Sequence, residues 1–298
     1  MDPAMLAGLI LIVGIIVLIA IGAPIAVAIG APSALALIAV IGPEPSSYVA
    51  AQRMFMGANS FTLLAIPFFV LAGQLMNTGG VATRLIDAAK VLVGRLPGSL
   101  AQTNVIANGL FGSISGAAVA SAAAVGGVLG PRQRREGYEP AFASAVNVAS
   151  APSGMLLPPS NTLIVYSLVS GTSVAALFAA GYGPGLLWVG GCLVMVMLLA
   201  TWKPALIGGA GQQDTERLSV GVAALTLLRA LPAVLMIVVV IGGLLAGYFT
   251  ATESAVIAVV YSLVLGFAYR QLALSKLPAV ILAASRTTAV VLFLIAVS

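Results

Sequence analysis

Between Pro97 and Pro131 the chain runs for 33 residues without one charged side chain. A single tilted helix uses about 20–25 residues to cross some 30 Å of hydrocarbon, and two full crossings use about 40, so the stretch fits neither. It does fit a helical hairpin that enters and returns, with limbs of about 15–17 residues that each rise roughly 22–25 Å. The tip then falls at Ser113-Ile114-Ser115-Gly116. The flanking charges agree with this. Arg84, Lys90 and Arg95 precede the stretch and Arg132, Arg134 and Arg135 follow it. A hairpin leaves both clusters on one face, whereas a single crossing splits them against the cation bias of cytoplasmic loops. The pattern predicts a re-entrant hairpin over 98–131, entered from the cytoplasm.

The rest of the chain belongs in the same solvent. With 61% hydrophobic and 7% charged residues among 298, it has too little charge to cover the surface of a soluble protein of this length. It reads as an all-α polytopic membrane protein. The first apolar run, Met5 to Ile21, has Asp2 where a signal peptide carries a basic segment, and a second run follows at once through Gly22-Ala23-Pro24, so it reads as the first span.

Several function classes drop out. There is no histidine and one cysteine, Cys192, inside an apolar run, which removes disulfide frameworks, thiol–imidazole pairs and His-containing metal sites. The net charge of +5 is scattered between spans rather than grouped on an aromatic-rich face, which argues against nucleic acid as a partner. Glu253 is the one acid near a membrane segment, so an intramembrane hydrolase lacks its Ser–His pair or opposed acids. The chain is not expected to be an enzyme.

In chain order the periodicity predicts scaffold helices over 4–60, an apolar helix at 61–76 and an amphipathic arm helix at 81–96 suited to the membrane interface. The hairpin at 98–131, a broken helix at 139–170 and a span at 174–202 follow, closing a first unit over 1–207. Residues 208–217, rich in Gly and polar side chains, read as a linker, and 218–298 as an incomplete second unit. There a span is expected from about Pro232, with Arg229 in an amphipathic stretch before it. A second helix then opens at Thr250-Ala251-Thr252-Glu253, with Glu253 as its N-terminal carboxylate. Gln271–Ser285 reads as a connector with Arg286 at its end, and Thr287–Ser298 as an apolar run too short to span, so the C-terminal part is expected to be missing. Counting crossings from an outside N-terminus puts Arg84, Arg132, Arg229, Arg270 and the other cations except Arg53 at the cytoplasmic side. The order of span, amphipathic connector and apolar helix over 22–76 is echoed after the linker on the opposite face, the pattern of an inverted repeat.

The break in the fifth segment is the second anomaly. Asn147 leads into Ser150-Ala151-Pro152-Ser153-Gly154, then Leu157-Pro158-Pro159-Ser160-Asn161. Proline removes a backbone donor and disfavours helix in the residue before it, so three prolines within eight residues interrupt the helix. Backbone unpaired at membrane depth normally lines a cavity or a site.

Ser60-Phe-Thr-Leu-Leu-Ala-Ile-Pro-Phe-Phe-Val-Leu-Ala-Gly73, Leu110-Phe-Gly-Ser-Ile-Ser-Gly-Ala-Ala118, Pro158-Pro159-Ser160 and Gly247-Tyr-Phe-Thr-Ala-Thr-Glu-Ser254 together resemble the large, DctM-like membrane subunit of tripartite ATP-independent periplasmic (TRAP) transporters. The resemblance implies a sodium-coupled importer of an organic anion in the bacterial inner membrane. It also implies a periplasmic substrate-binding protein, a small DctQ-like membrane subunit and an elevator motion, with no cofactor beyond the coupling ion. Related carriers with paired hairpins work without a binding protein, and that alternative stays open here, as does a fragment that does not transport alone.

Sodium takes oxygen ligands, which an unwound helix and nearby hydroxyls supply. Ser113, Ser115, Gly116 and Ser153 are the expected sodium set. Ser150, Gly154 and Ser160 add further oxygens, and Asn147 and Asn161 can donate to or accept from the substrate. Pro158 and Pro159 keep carbonyls free.

Overall fold

The computed structural model describes residues 2–208 and 220–297. Among these the chain is built from α-helices, and six are long and apolar enough to cross a membrane: Pro3–Ala20, Phe61–Thr78, Val174–Trp202, Gly221–Leu245, Ala251–Ala268 and Leu274–Val297. The helices form two compact units, one of Met1–Leu63 with Ser285–Ser298, the other of Leu64–Ala284.

The first unit holds α1 (Pro3–Ala20), α2 (Ile25–Ile41) and α3 (Pro43–Ala58). Asp2 caps α1 by accepting from the Ala4 amide at 3.2 Å, with Pro3 in the first turn where its missing N–H costs nothing. α1 packs along α2, where a methyl on Gly14 would lie 2.8 Å from the Pro32 ring, yet it buries no residue fully. In α2 the buried residues Ala28, Pro32 and Ala36 recur every four positions, a narrow small-residue stripe of the kind by which membrane helices approach closely.

The second unit begins with α4 (Ala65–Thr78) and α5 (Val81–Val93), joined through Gly80 in the left-handed region at φ +73°. α5 is amphipathic as its spacing predicts: Leu85, Ile86, Ala89 and Val93 are buried while Asp87 and Lys90 stay at the rim. Protein rather than lipid covers that apolar face, because α5 packs on α6 (Ser99–Ser115) and on α12 (Val220–Leu245). α7 (Ala118–Arg135), α8 (Pro140–Ser150), the single turn α9 (Ser153–Leu156), α10 (Asn161–Ser170) and α11 (Val174–Trp202) follow. Leu100, Phe111, Val125, Leu129, Val146 and Val189 form one buried core between α6, α7, α8 and α11.

α12 (Val220–Leu245), α13 (Ala251–Ala268) and α14 (Leu277–Val297) complete the chain. α13 lies along α4 and α12 and buries small residues, Ala251, Ala255 and Ala258 among them; its Ser262 hydroxyl sits 3.6 Å from the Met236 sulfur of α12, and a methyl on Gly79 would sit 3.1 Å from the Gly266 Cα. Its start is a complete capping box in which Glu253 Oε2 accepts from the Thr250 amide at 2.7 Å and hydroxyl at 2.9 Å.

Two boundaries differ from the sequence reading. α12 is already helical at Val220 and passes through Arg229 and Pro232, because an interior proline removes one hydrogen bond without ending a long apolar helix. α14 starts at Leu277 and runs through Ser285, Arg286 and Thr287, so the expected connector shrinks to a turn at Leu274–Lys276. Arginine is a good helix former with a long apolar stem, and one such residue does not stop a helix. Of the expected linker at 208–217, only Gly208 lies within the described residues.

Candidate functional site

The uncharged stretch folds as two limbs, α6 of 17 residues and α7 of 18. α6 ends at Gly116, whose left-handed φ of +62° lets its amide donate to the Gly112 carbonyl at 2.8 Å, and the chain turns back through Ala117 in an extended conformation. The limbs run antiparallel: the Ser121 hydroxyl donates to the Asn108 side-chain oxygen at 2.7 Å, and Gln133 Nε2 to the Leu100 carbonyl at 3.5 Å. The tip therefore closes at Gly116-Ala117, at the end of the four residues expected to form it.

The break lies opposite. After α9 the backbone bends over 157–159, with Leu157 and Ser160 extended on either side and a cis bond between the prolines. Ser160 caps α10, accepting from the Leu163 amide at 3.5 Å and donating to the Met155 carbonyl at 2.5 Å. Among the described residues the carbonyls of Leu157, Pro158 and Pro159 accept no hydrogen bond and the amides of Asn161 and Thr162 donate none. Leu157, Pro158, Pro159 and Ser160 are nevertheless all buried. Buried backbone groups are almost always paired, so three free carbonyls at one buried turn stand out, while the Asn161 and Thr162 amides are the open first-turn donors of α10, Asn161 half-buried and Thr162 exposed.

Glycines bring hairpin and break together. Gly112 of α6 touches Gly154 of α9 backbone to backbone: a methyl on Gly154 would lie 2.5 Å from the Gly112 Cα. At the tip, a methyl on Gly116 would lie 2.9 Å from the Asn161 amide nitrogen. Gly73 of α4 meets the other side of the tip, with a methyl there 3.0 Å from the Ser115 Cα.

The expected site residues separate into two groups along this contact. Ser115, Gly116 and Asn161 belong to the tip, together with the open backbone that Pro158, Pro159 and Ser160 create. The Ser115 hydroxyl makes one long bond, 3.4 Å to the Ala117 carbonyl, and Asn161 Oδ1 is buried with no partner among the described residues. Asn147, Ser150 and Ser153 lie further along the hairpin, where protein groups occupy them. Asn147 Nδ2 donates to the Ala122 carbonyl at 2.9 Å, Ser150 to that of Val146 at 2.7 Å and Ser153 to that of Ser150 at 2.6 Å. Ser113 donates to Leu110 within its own helix at 2.8 Å.

The centre of this second group is a residue the sequence reading did not assign. Asn108, fully buried, places its Nδ2 2.8 Å from Ser150 Oγ, 2.9 Å from Asn104 Oδ1 and 3.1 Å from Asn147 Oδ1, while its own oxygen accepts from Ser121. One amide thus ties both hairpin limbs to α8. The spacing of Asn104, Asn108 and Gly112, four apart on one helical face, was the available signal. None of these groups carries a formal charge. What the contact presents is carbonyls, hydroxyls and the positive ends of α7 and α10, which both start at the tip.

Over residues 12–298 the sequence matches a protein-family model described as "Tripartite ATP-independent periplasmic transporter, DctM component". It is 50% identical over 263 residues to the Salmonella typhimurium protein YgiK, covering 88% of this chain and 59% of that one. It is 39% identical over 249 residues to the C4-dicarboxylate TRAP transporter large permease protein DctM of Pseudomonas aeruginosa, covering 83% and 56%. It is 38% identical over 247 residues to the sialic acid TRAP transporter large permease protein SiaM of Vibrio cholerae, again covering 83% and 56%. The chain thus spans between 56% and 59% of the length of these three relatives.

Proposed function

Because the chain belongs to the DctM family of tripartite ATP-independent periplasmic transporters, multi-pass permease proteins of the bacterial inner membrane, we propose that it takes part in sodium-coupled import of an organic anion. The anion is a carboxylate such as a C4-dicarboxylate or sialic acid, the substrates named for two relatives. A periplasmic binding protein delivers it, a small membrane subunit completes the membrane assembly, and an elevator displacement carries it across. In this reading 1–207 is one repeat and 218–298 the start of its inverted counterpart.

One observation supports the site: buried, unbonded carbonyls at Leu157, Pro158 and Pro159 and unbonded amides at Asn161 and Thr162, beside the hairpin tip at Gly116. Free carbonyls with the oxygens of Ser115 and Gly116 are the donor set a sodium ion takes, while Ser113 and Ser153, whose hydroxyls donate to Leu110 and Ser150, support the turn beside it. The α10 amides and the Asn161 side chain are what a carboxylate takes, since a helix N-terminus favours an anion. Asn147, Ser150 and Gly154 hold the hairpin against the break. The test is sodium-driven uptake by the full-length protein with its two partners in proteoliposomes. Asn161→Ala and Ser115→Ala should each raise the half-saturating sodium or substrate concentration about tenfold or more while leaving thermal stability near wild type. An unchanged sodium dependence in both variants refutes the assignment.

A further inference from the structure

A second polar site lies elsewhere in the same unit. Thr83, Arg84 and Asp87 of α5, Thr226 and Arg229 of α12, and Gln271 line a cleft of about 340 Å³. Arg84 is held in place: its Nη1 donates to the Gly80 carbonyl at 2.9 Å and its guanidinium lies 3.5 Å from the centre of the Tyr269 ring. Asp87 has a cation of its own, Arg132, at 3.8 Å. Among the described residues the Arg229 guanidinium has no ion-pair or hydrogen-bonding partner. With Asp87 offset by Arg132, the two lining arginines leave the cleft net positive, and Thr83, Thr226 and Gln271 add neutral polar groups.

The surroundings decide what kind of anion fits. Arg229 lies inside Gly221–Leu245, one of the membrane-span candidates, and its helix neighbours Leu225, Leu228 and Leu231 are 48%, 61% and 55% exposed. A cation flanked by exposed leucines on a membrane span needs an anionic partner at the edge of the hydrocarbon, and among the described residues no carboxylate lies within ion-pairing distance of Arg229. A soluble anion matches the arginines and leaves the leucines bare. A phospholipid matches both, its phosphate meeting two guanidinium groups and its acyl chains the apolar helix face. We propose that this cleft binds the headgroup phosphate of an anionic phospholipid of the cytoplasmic leaflet, linking α5 to α12.

The full-length protein in detergent is titrated with short-chain phosphatidylglycerol or phosphatidylcholine, reading thermal stabilisation and, by native mass spectrometry, retained lipid. Phosphatidylglycerol should bind selectively, and Arg229→Gln should weaken it about fivefold, the order that one interfacial arginine contributes to anionic-lipid attraction. Arg95→Gln, an equal charge change outside the cleft, should leave it unchanged. Gln271→Glu, at an exposed position where folding is not at stake, should weaken it as Arg229→Gln does and decides the matter if that variant does not fold. Equal loss in Arg95→Gln, equal binding of phosphatidylcholine, or displacement of the lipid by millimolar inorganic phosphate each overturns the proposal, the last by showing a site for a soluble anion.

Discussion

Replacing Gly112 by alanine tests whether hairpin and break are held by direct backbone contact. The reciprocal methyl, on Gly154, would lie 2.5 Å from the Gly112 Cα and 3.2 Å from the Gly112 carbonyl oxygen. Carbon atoms want about 3.5–4.0 Å, so α6 and α9 must part by roughly 1–1.5 Å. The obstacle is backbone, with no side chain to rotate away, which puts the cost at the upper end of overpacking, about 3 kcal/mol. Alanine returns up to about 1 kcal/mol of helix propensity, so each single variant should lose roughly 2 kcal/mol. Gly127 has nothing within 4 Å of its Cβ position and serves as the control, where alanine should be neutral or slightly stabilising. The double variant Gly112→Ala, Gly154→Ala should cost about 2–3 rather than about 4 kcal/mol, because the second methyl enters space the first has opened. Thermal unfolding in detergent can be followed with a thiol-reactive dye on Cys192, whose sulfur lies 3.8 Å from the Ala149 carbonyl and emerges as α8 and α11 separate. Gly112→Ala behaving like Gly127→Ala, or additive costs in the double variant, would show that no direct backbone contact holds hairpin and break together.

Three further changes probe other parts of the fold. Asn108→Ala removes the amide joining both hairpin limbs to α8, leaves the Ser150 and Asn104 oxygens without that donor and leaves the Ser121 hydroxyl only its 3.1 Å bond to the backbone carbonyl of residue 108, a loss of about 2–4 kcal/mol in thermal or denaturant unfolding. Thr250→Val removes the capping box at the start of α13 and should cost about 0.5–2 kcal/mol, while Glu253→Gln, which keeps an acceptor, should cost less. Burial pushes the Tyr138 phenol up to about 12. The folded state therefore favours the protonated form, and its contribution is complete below pH 10. Unfolding measured from pH 9 to 12 should show stability falling by up to about 3 kcal/mol, and Tyr138→Phe should remove that part of the decline.

The sequence held more of the membrane organisation than of the site. An uncharged stretch too long for one crossing and too short for two left a hairpin as the economical reading, and Gly116 closes it. The side assignment grouped Arg84, Arg132, Arg229 and Arg270 at one face. The structure gathers three of them about one cleft, Arg84 and Arg229 lining it and Arg132 beside Asp87. Hidden from the sequence was whether Pro232 and Arg286 end helices or ride inside them, since that depends on whether neighbouring turns hold the chain helical. Serine and asparagine were ambiguous for a related reason. Ser115 and Ser150 look alike in sequence, yet one has a single long bond and the other is tied to Val146 and Asn108, a distinction set by which helix lies opposite.

The glycine contact between α6 and α9 also limits how the molecule can move. Side chains that meet across an interface can change rotamer and let two helices slide, but the Gly112–Gly154 contact has no rotamers to change, and Asn108 pins the same helices nearby. Hairpin and break are therefore a single stiff body. Under the elevator displacement proposed above, the two must be carried together.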